Sequence, residues 1–384
     1  MNPHRVLWVL DSLQPGGAER LALRFLKLAP APWQIELVAL QPPPGGAALE
    51  ALWGRELETV AGGVHQLGMR SLHDLASWRH LAARVRQWQP AIIHTHLRYA
   101  TIWGAAARGR VPQVVTVHLG PSPETGPGQK AAAWIERRAR CRAARVLYVS
   151  QAQRQAWSRA YPRRAERALV LGNGVGVLAP ELSQAAARRA LALPPAAALA
   201  LTVAVVRAAK GWRVWLEAVE RLAPAHPQAL FVWVGGGPDH LAFAHAVAAS
   251  RWRARIRLAG PQADVGPWLR AADAFLFPSL EEAQPTAVME AMAAGLPVVA
   301  TALPAIAEVA GPCARLVPPG NAAALAEAAA AWLHRDAAEA RQALGRAAAA
   351  RAQACFSEAA WCRRLLEVYA ELCSTPTAGR ACAA

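Results

Sequence analysis

The sequence predicts an α/β protein built from two doubly wound domains. Three observations carry this reading. Short apolar runs recur along the chain with amphipathic stretches between them, and several of these runs are followed at once by glycine turns. A length of 384 residues is long for one domain and comfortable for two. A hydrophobic fraction of 54% with 18% charged residues places the chain among globular proteins, not disordered ones.

In the first half, Val6 to Leu10 reads as a buried strand, and Pro15-Gly16-Gly17 as a turn. Ala18 to Ala29 reads as a helix with Leu21, Phe25 and Leu28 on one face. Gly16 and Gly17 let the backbone approach a ligand, and the following helix N-terminus favours an anion. Ile35 to Leu40 is the next strand, and Ser71 to Trp88 a helix with Leu75, Trp78 and Leu81 inward. Ala91 to His94 is a strand leading into His94-Thr95-His96. Val114 to His118 ends a strand in histidine. A side chain there points into the crevice where such sheets bind ligands, or else is a satisfied core histidine. His96 has the same two readings. Pro121 to Gly128 is a loop, Ala131 to Arg142 a basic helix, Arg145 to Ser150 a strand and Gln151 to Arg159 a helix.

The join between domains falls in Leu169 to Pro180. The expected domains are 1–170, completed by 356–373, and 171–355, with 374–384 as a disordered tail. The second domain opens with a strand over Leu199 to Val206, then Arg207, Lys210 and Gly211, and a helix from Trp212 to Leu222. Leu230 to Val234 is a strand running into Gly235-Gly236-Gly237-Pro238. Ile256 to Gly260 is a strand and Val265 to Ala271 a helix. Ala274 to Phe277 is a buried strand before a loop with Glu281 and Glu282. Pro285 suits the first position of a helix running from Ala287 to Ala294 and stopped by Gly295 and Pro297. The amides around Pro285 and Thr286 would suit a phosphate, with Glu290 a turn further in to accept from sugar hydroxyls. Taken singly, Glu282 reads as a capping acid and Glu290 as a solvated one. Val298 to Thr301 is a further strand, and Phe356 to Leu372 the last helix.

A formal net charge of +16 favours anionic partners, such as nucleotide sugars or an acidic lipid surface. No aromatic-basic RNA-binding motif, helix-turn-helix signature or zinc-finger spacing accompanies the arginines, so nucleic acid is not the expected partner. The six cysteines are scattered without a C-x-x-C, which suits a reducing compartment and gives no metal site. No apolar run is long enough to span a bilayer. The expectation is a cytoplasmic protein, free or resting on the inner membrane face.

The string from Glu282 to Ala300 resembles the E-x7-E segment of the family-4 retaining glycosyltransferases, with its continuation E-A-M-A-x-G-x-P-V-V-A. The G-G-A-E-R run from Gly16, the His94-Thr95-His96 element, the T-x-H context of His118 and Asn173-Gly174-Val175 are similar to the same family. So are Lys210-Gly211 and the glycines from Gly235. The family commonly has an arginine at the place of Val205, and here the available one is Arg207. Pro304-Ala305-Ile306-Ala307-Glu308 stands where the family usually shows G-G-I-P-E.

The resemblance implies the GT-B fold, two Rossmann-like domains facing a cleft with a C-terminal helix crossing back to the first. It implies a hexosyltransferase that moves sugar from a nucleotide-diphosphate sugar to a glycolipid, glycan or small-molecule acceptor, with retention and without a metal or other cofactor. Lys210, Arg207 and Glu282 would act catalytically with His118. Gly16, Gly17, Gly235, Gly237, Pro285, Thr286 and Glu290 would hold the donor, with Glu290 on the ribose and Glu282 on the sugar hydroxyls. His96 would lie on the acceptor side. The alternatives are a GT-B epimerase or phosphorylase, and a catalytically silent GT-B protein that binds anionic membranes.

Overall fold

The computed structural model describes residues 4–13, 17–42, 63–69, 71, 74–118, 126–176, 182–262 and 264–374. The chain divides into two compact units, Met1–Gly174 with Ala359–Ala384, and Val175–Glu358. The expected tail after Ser374 lies outside the described residues, as does Gly16.

The first unit carries strands β1 (His4–Leu10), β2 (Trp33–Ala39), β3 (Val64–Gln66), β4 (Ile92–His96), β5 (Gln113–Val117), β6 (Arg145–Tyr148) and β7 (Ala168–Val170). They form one sheet in the order β3-β2-β1-β4-β5-β6-β7, and the pairings are all parallel. The chain leaves β1 toward one edge, then returns to β4 on the other side and works outward. The switch in direction falls between β1 and β4, where open α/β sheets bind ligands. Helices α1 (Gly17–Leu28), α2 (Leu75–Trp88), α3 (Arg98–Ala107), α4 (Pro127–Arg142) and α5 (Gln151–Ala160) connect these strands. The period of two in β1 is plain in the packing. Val6, Trp8 and Leu10 join Phe25 of α1, while Leu7 and Val9 face Leu81 and Val85 of α2.

The second unit repeats the plan. It has α6 (Gln184–Ala190), β8 (Leu199–Val203), α7 (Trp212–Leu222), β9 (Leu230–Val234), α8 (His240–Ala249), β10 (Ile256–Gly260), α9 (Gly266–Ala271) and β11 (Ala274–Phe277). Then come α10 (Thr286–Ala293), β12 (Val298–Thr301), α11 (Pro304–Ala310), β13 (Ala314–Val317), α12 (Ala322–Leu333) and α13 (Ala338–Phe356). The strand order is β10-β9-β8-β11-β12-β13, again parallel throughout, with the switch between β8 and β11. Both faces of this sheet are covered. Phe231, Trp233 and Leu276 pack against Trp212, Trp215 and Phe243, and Phe275 and Phe277 pack among Val288, Met289 and Met292. Strands buried on both sides explain why they read as unbroken apolar runs.

Several element ends differ from the sequence expectation, each for a local reason. Asp74 accepts from the Ser77 amide at 3.1 Å and starts α2 at Leu75, which leaves Leu75 exposed. Pro127 opens α4 four residues before Ala131, a position that asks for no N–H. Strand β4 runs on through His96, and β8 stops at Val203. Pro285 sits just before α10, not at its first position. Its carbonyl accepts from Val288 and Met289 at 3.0 and 3.2 Å.

The last helix, α14 (Glu358–Ser374), begins two residues later than expected because Ser357 is extended (ψ 138°) and bridges to Val175. Phe356 therefore ends α13. Helix α14 belongs to the first unit, where Trp361, Leu365 and Tyr369 are buried with Trp8 and Phe25. The Trp8 indole donates to Tyr369 Oη at 2.9 Å. The Tyr369 hydroxyl lies 2.5 Å from His94 Nδ1, and His94 Nε2 lies 2.7 Å from Thr116 Oγ1. An indole only donates, so Tyr369 gives its own proton to His94 Nδ1 and His94 donates from Nε2 to Thr116. Tyr369→Phe strands the Trp8 N–H and His94 Nδ1 together. It is expected to cost about 1–3 kcal/mol, seen as a lower urea midpoint at unchanged slope. An unmoved midpoint would show that this chain of bonds contributes nothing.

Candidate functional site

In the second unit, the loops leaving β8, β9 and β11 are drawn together by backbone contacts that glycine alone allows. Gly211 has φ +70°, and a Cβ there would lie 2.0 Å from the Pro278 carbonyl oxygen. A Cβ on Gly235 would lie 2.0 Å from the Ala204 oxygen, and one on Gly237 2.5 Å from the Val206 oxygen. Hydrogen bonds then tie the loops. Val206 N donates to Gly236 O at 2.8 Å, and Leu280 N to Ala209 O at 2.8 Å. Buried Ser279 donates from Oγ to Ala209 O at 3.3 Å, and its own carbonyl accepts from Thr301 Oγ1 at 2.5 Å.

Where these loops meet, Lys210 Nζ donates to Glu282 Oε1 at 2.5 Å. The side chains are only 17% and 7% exposed, so the pair exchanges little with water. Lys210 Nζ also lies 5.9 Å from the centre of the Phe277 ring. Glu282 thus holds a cation at the switch point of this sheet, a partnership 72 residues apart in sequence. Arg207 is exposed beside the turn, and Val205 is half exposed. Pro285 is buried. The Thr286 amide turns back onto Gln284 O at 3.1 Å, and Glu290 is half-buried in the second turn of α10. Sequence reading placed Lys210 and Glu282 in one site, and did not foresee that they bind each other.

The first unit has its own cluster at the carboxyl ends of β1, β4 and β5. His94 and His96 alternate along β4 and share a face, with ring centres 4.2 Å apart and both side chains buried. His118 follows β5 directly. Its Nε2 lies 2.8 Å from His96 Nδ1, with the two rings stacked at 19°. Trp8 lies against His96 at 4.3 Å between ring centres. His96 Nε2 is buried and has no hydrogen-bond partner among the described residues. Leaving a bare lone pair there costs less than leaving an N–H, so His96 carries its proton on Nδ1 and donates to His118 Nε2. His118 then keeps its proton on Nδ1. Burial holds all three rings neutral, with His94 and His96 well below the usual histidine range and His118 pushed down to about 4.

Two acids complete this cluster and were not picked out from sequence. Asp11 follows β1, where its Oδ1 and Oδ2 accept from the Ala100 and Tyr99 amides at 2.6 and 3.3 Å and so cap α3. Desolvation nonetheless raises its carboxyl to about 7, with the Glu136 charge adding to the rise. Glu19, in the first turn of α1 behind Gly17, is likewise raised to about 7 by burial, with Asp11 adding. Glu136 accepts from Arg98 at 3.1 Å and from Arg140. The available signal was position: Asp11 ends the first apolar run of the chain, at a strand's carboxyl end.

Comparison with known proteins decides the family. Residues 15–178 match the model described as Glycosyltransferase Family 4, and residues 198–335 that described as Glycosyl transferases group 1. The chain belongs to the family-4 glycosyltransferases. Among curated members of this kind, the lipopolysaccharide core biosynthesis mannosyltransferase LpsB of Rhizobium meliloti is 29% identical over 190 residues, 43% of this chain and 54% of that one. The D-inositol 3-phosphate glycosyltransferase of Streptomyces bingchenggensis is 30% identical over 235 residues, 54% of this chain and 51% of that one. The chain thus matches about half the length of each. Anabaena HepE, solved in complex with UDP-glucose, superposes with a TM-score of 0.80 at 21% identity, over 96% of this chain and 99% of that one. The fold of this family-4 glycosyltransferase is therefore GT-B.

The raised acids and lowered histidines pull stability in opposite directions with pH. Asp11 and Glu19 stay protonated when folded, up to about 7, but ionise when unfolded near 3.8 and 4.5. Their contribution is full below the unfolded values and is lost as pH rises through about 7. For His118 the contribution is present above 6.5 and lost as pH falls through about 4. Asp11→Asn removes one acid's share. Its melting temperature relative to the unaltered chain is expected to rise between about pH 5 and about pH 8. A difference that does not change with pH would contradict the raised carboxyl.

Proposed function

We propose that the chain transfers a hexose from a nucleotide-diphosphate sugar to a hydroxyl-bearing acceptor, with retention of configuration and without a metal ion. The observation that carries this reading is the convergence of three strand-end loops on Lys210 and Glu282, within the stretch matched to the family. As the glycosidic bond breaks, the leaving diphosphate gains charge. Lys210 meets that charge as a fixed cation, aided by the partial positive end of α10 and by Arg207 at the rim. This supplies the electrostatic role that a metal plays in other transferases. Holding Lys210 in place beforehand costs no reorganisation during reaction, and Glu282 does the holding.

Gly235 and Gly237 admit the nucleotide close to the backbone, Pro285 and Thr286 position the start of α10, and Glu290 receives the ribose. His118 offers its Nδ1 proton to a sugar hydroxyl, with His96 fixing that tautomer on the acceptor side. Retention follows from attack by the acceptor hydroxyl on the same face as the departing diphosphate: the sugar–diphosphate bond breaks as the new glycosidic bond forms, and the hydroxyl proton passes to the leaving diphosphate oxygen, without a covalent sugar intermediate on the enzyme.

LpsB acts in lipopolysaccharide core biosynthesis, and HepE is solved with UDP-glucose. By analogy the acceptor here is a growing glycan, a glycolipid or a small polyol. No helix among the described residues is long and apolar enough to cross a membrane. A cytoplasmic enzyme working at the inner membrane face fits the basic charge of the chain.

A panel of nucleotide sugars tested by thermal shift is expected to contain one that raises the melting temperature by mass action. With that donor, Lys210→Ala and Glu290→Gln are each expected to lower turnover by about a hundredfold when assayed well below each variant's own melting temperature. Donor consumption is expected only when an acceptor is supplied. Undiminished turnover in both variants would refute the site, and epimerisation without acceptor would refute the transfer.

A further inference from the structure

Helix α4 presents an outward stripe of large apolar and basic side chains. Its buried side is small and neutralised. Ala132, Ala133 and Ala139 pack inward, and Glu136, its one acid, is taken up by Arg98 and Arg140. The opposite side carries Lys130, Trp134, Arg138 and Arg142 at successive intervals of four, with Ala131 and Ile135 alongside, all exposed. Trp134 is 54% exposed and Ile135 42%, and no other tryptophan among the described residues is exposed. The Arg138 guanidinium lies 4.9 Å from the Trp134 ring centre.

We infer that this face of α4 is a docking surface for an anionic lipid bilayer. An indole and a branched aliphatic side by side form the apolar half of an interfacial helix, and tryptophan favours the depth of lipid headgroups. The flanking cations are the other half, since each lysine or arginine held near an anionic leaflet adds to binding. No carboxylate on this face opposes them, and the chain as a whole carries +16. A protein partner would need a matching acidic and apolar groove, whereas a bilayer supplies negative charge and apolar depth along the whole helix.

This surface deepens the membrane placement proposed above but stands apart from sugar transfer, so the two fail separately. The full chain is expected to sediment with vesicles of phosphatidylcholine mixed with phosphatidylglycerol, and not with phosphatidylcholine alone. Binding is expected to fall as salt is raised. Trp134→Ala with Ile135→Ala, and separately Lys130→Glu with Arg138→Glu, are each expected to weaken it about tenfold or more without moving the melting temperature. Equal binding to both vesicle types, no binding, or undiminished binding by both variants would overturn the inference. So would self-association of the unaltered chain that the Trp134 and Ile135 variant abolishes, because a second copy would then be the occupant. Vesicle binding by a chain that turns over no donor would uphold this surface and sink the transfer reading.

Discussion

The mostly buried ion pair of Lys210 with Glu282 is the constraint around which the strand-end loops of the second unit are arranged. A charge taken out of water must be matched nearby, and removing one partner of such a pair leaves the other costly. The pair forms only because β8 and β11 lie side by side at the switch point, so that the loops leaving them emerge together. Gly211 against the Pro278 carbonyl closes the remaining gap, and Ser279 pins its loop to both Ala209 and Thr301. The apolar packing beneath, Phe277 among the α10 side chains, gives the charges a rigid floor.

The first unit solves a different problem with the same topology. At its switch point burial disfavours charge: three histidines lie below their usual range and two acids are raised to about 7. Trp8 meets His94 edge-on and His96 at a tilt; the Tyr369 hydroxyl from the last helix bonds His94, and His96 separately bonds His118. One unit thus holds a fixed ion pair, and the other holds buried histidines and acids shifted toward their neutral forms.

Most of the strands were legible because parallel sheets covered on both faces leave unbroken apolar runs such as those of β1 and β11. The glycine turns after those runs were legible as turns, but not that Gly211, Gly235 and Gly237 pack against the backbone of neighbouring loops. Helix α13 was not, since its alanine-rich sequence has no apolar stripe to mark a face. The end of β4 was misjudged because histidines at positions 94 and 96 look polar, yet they are buried against the Trp8 ring and bonded to residues distant in sequence. Asp11 escaped notice for a related reason. A carboxylate at a strand end reads as solvated until α3 arrives to bury and cap it. The Lys210–Glu282 bond itself is a tertiary fact that no local pattern encodes.

Hydrogen–deuterium exchange with and without nucleoside diphosphates tests the seat of the leaving group most directly. Protection by the binding nucleotide is expected at the amides of 206–211, 235–239 and 282–290, and it is expected to vanish when Lys210 is replaced by alanine. Protection confined to the glycine turn before α1, or unchanged by that replacement, would contradict a diphosphate seat built on Lys210 and Glu282.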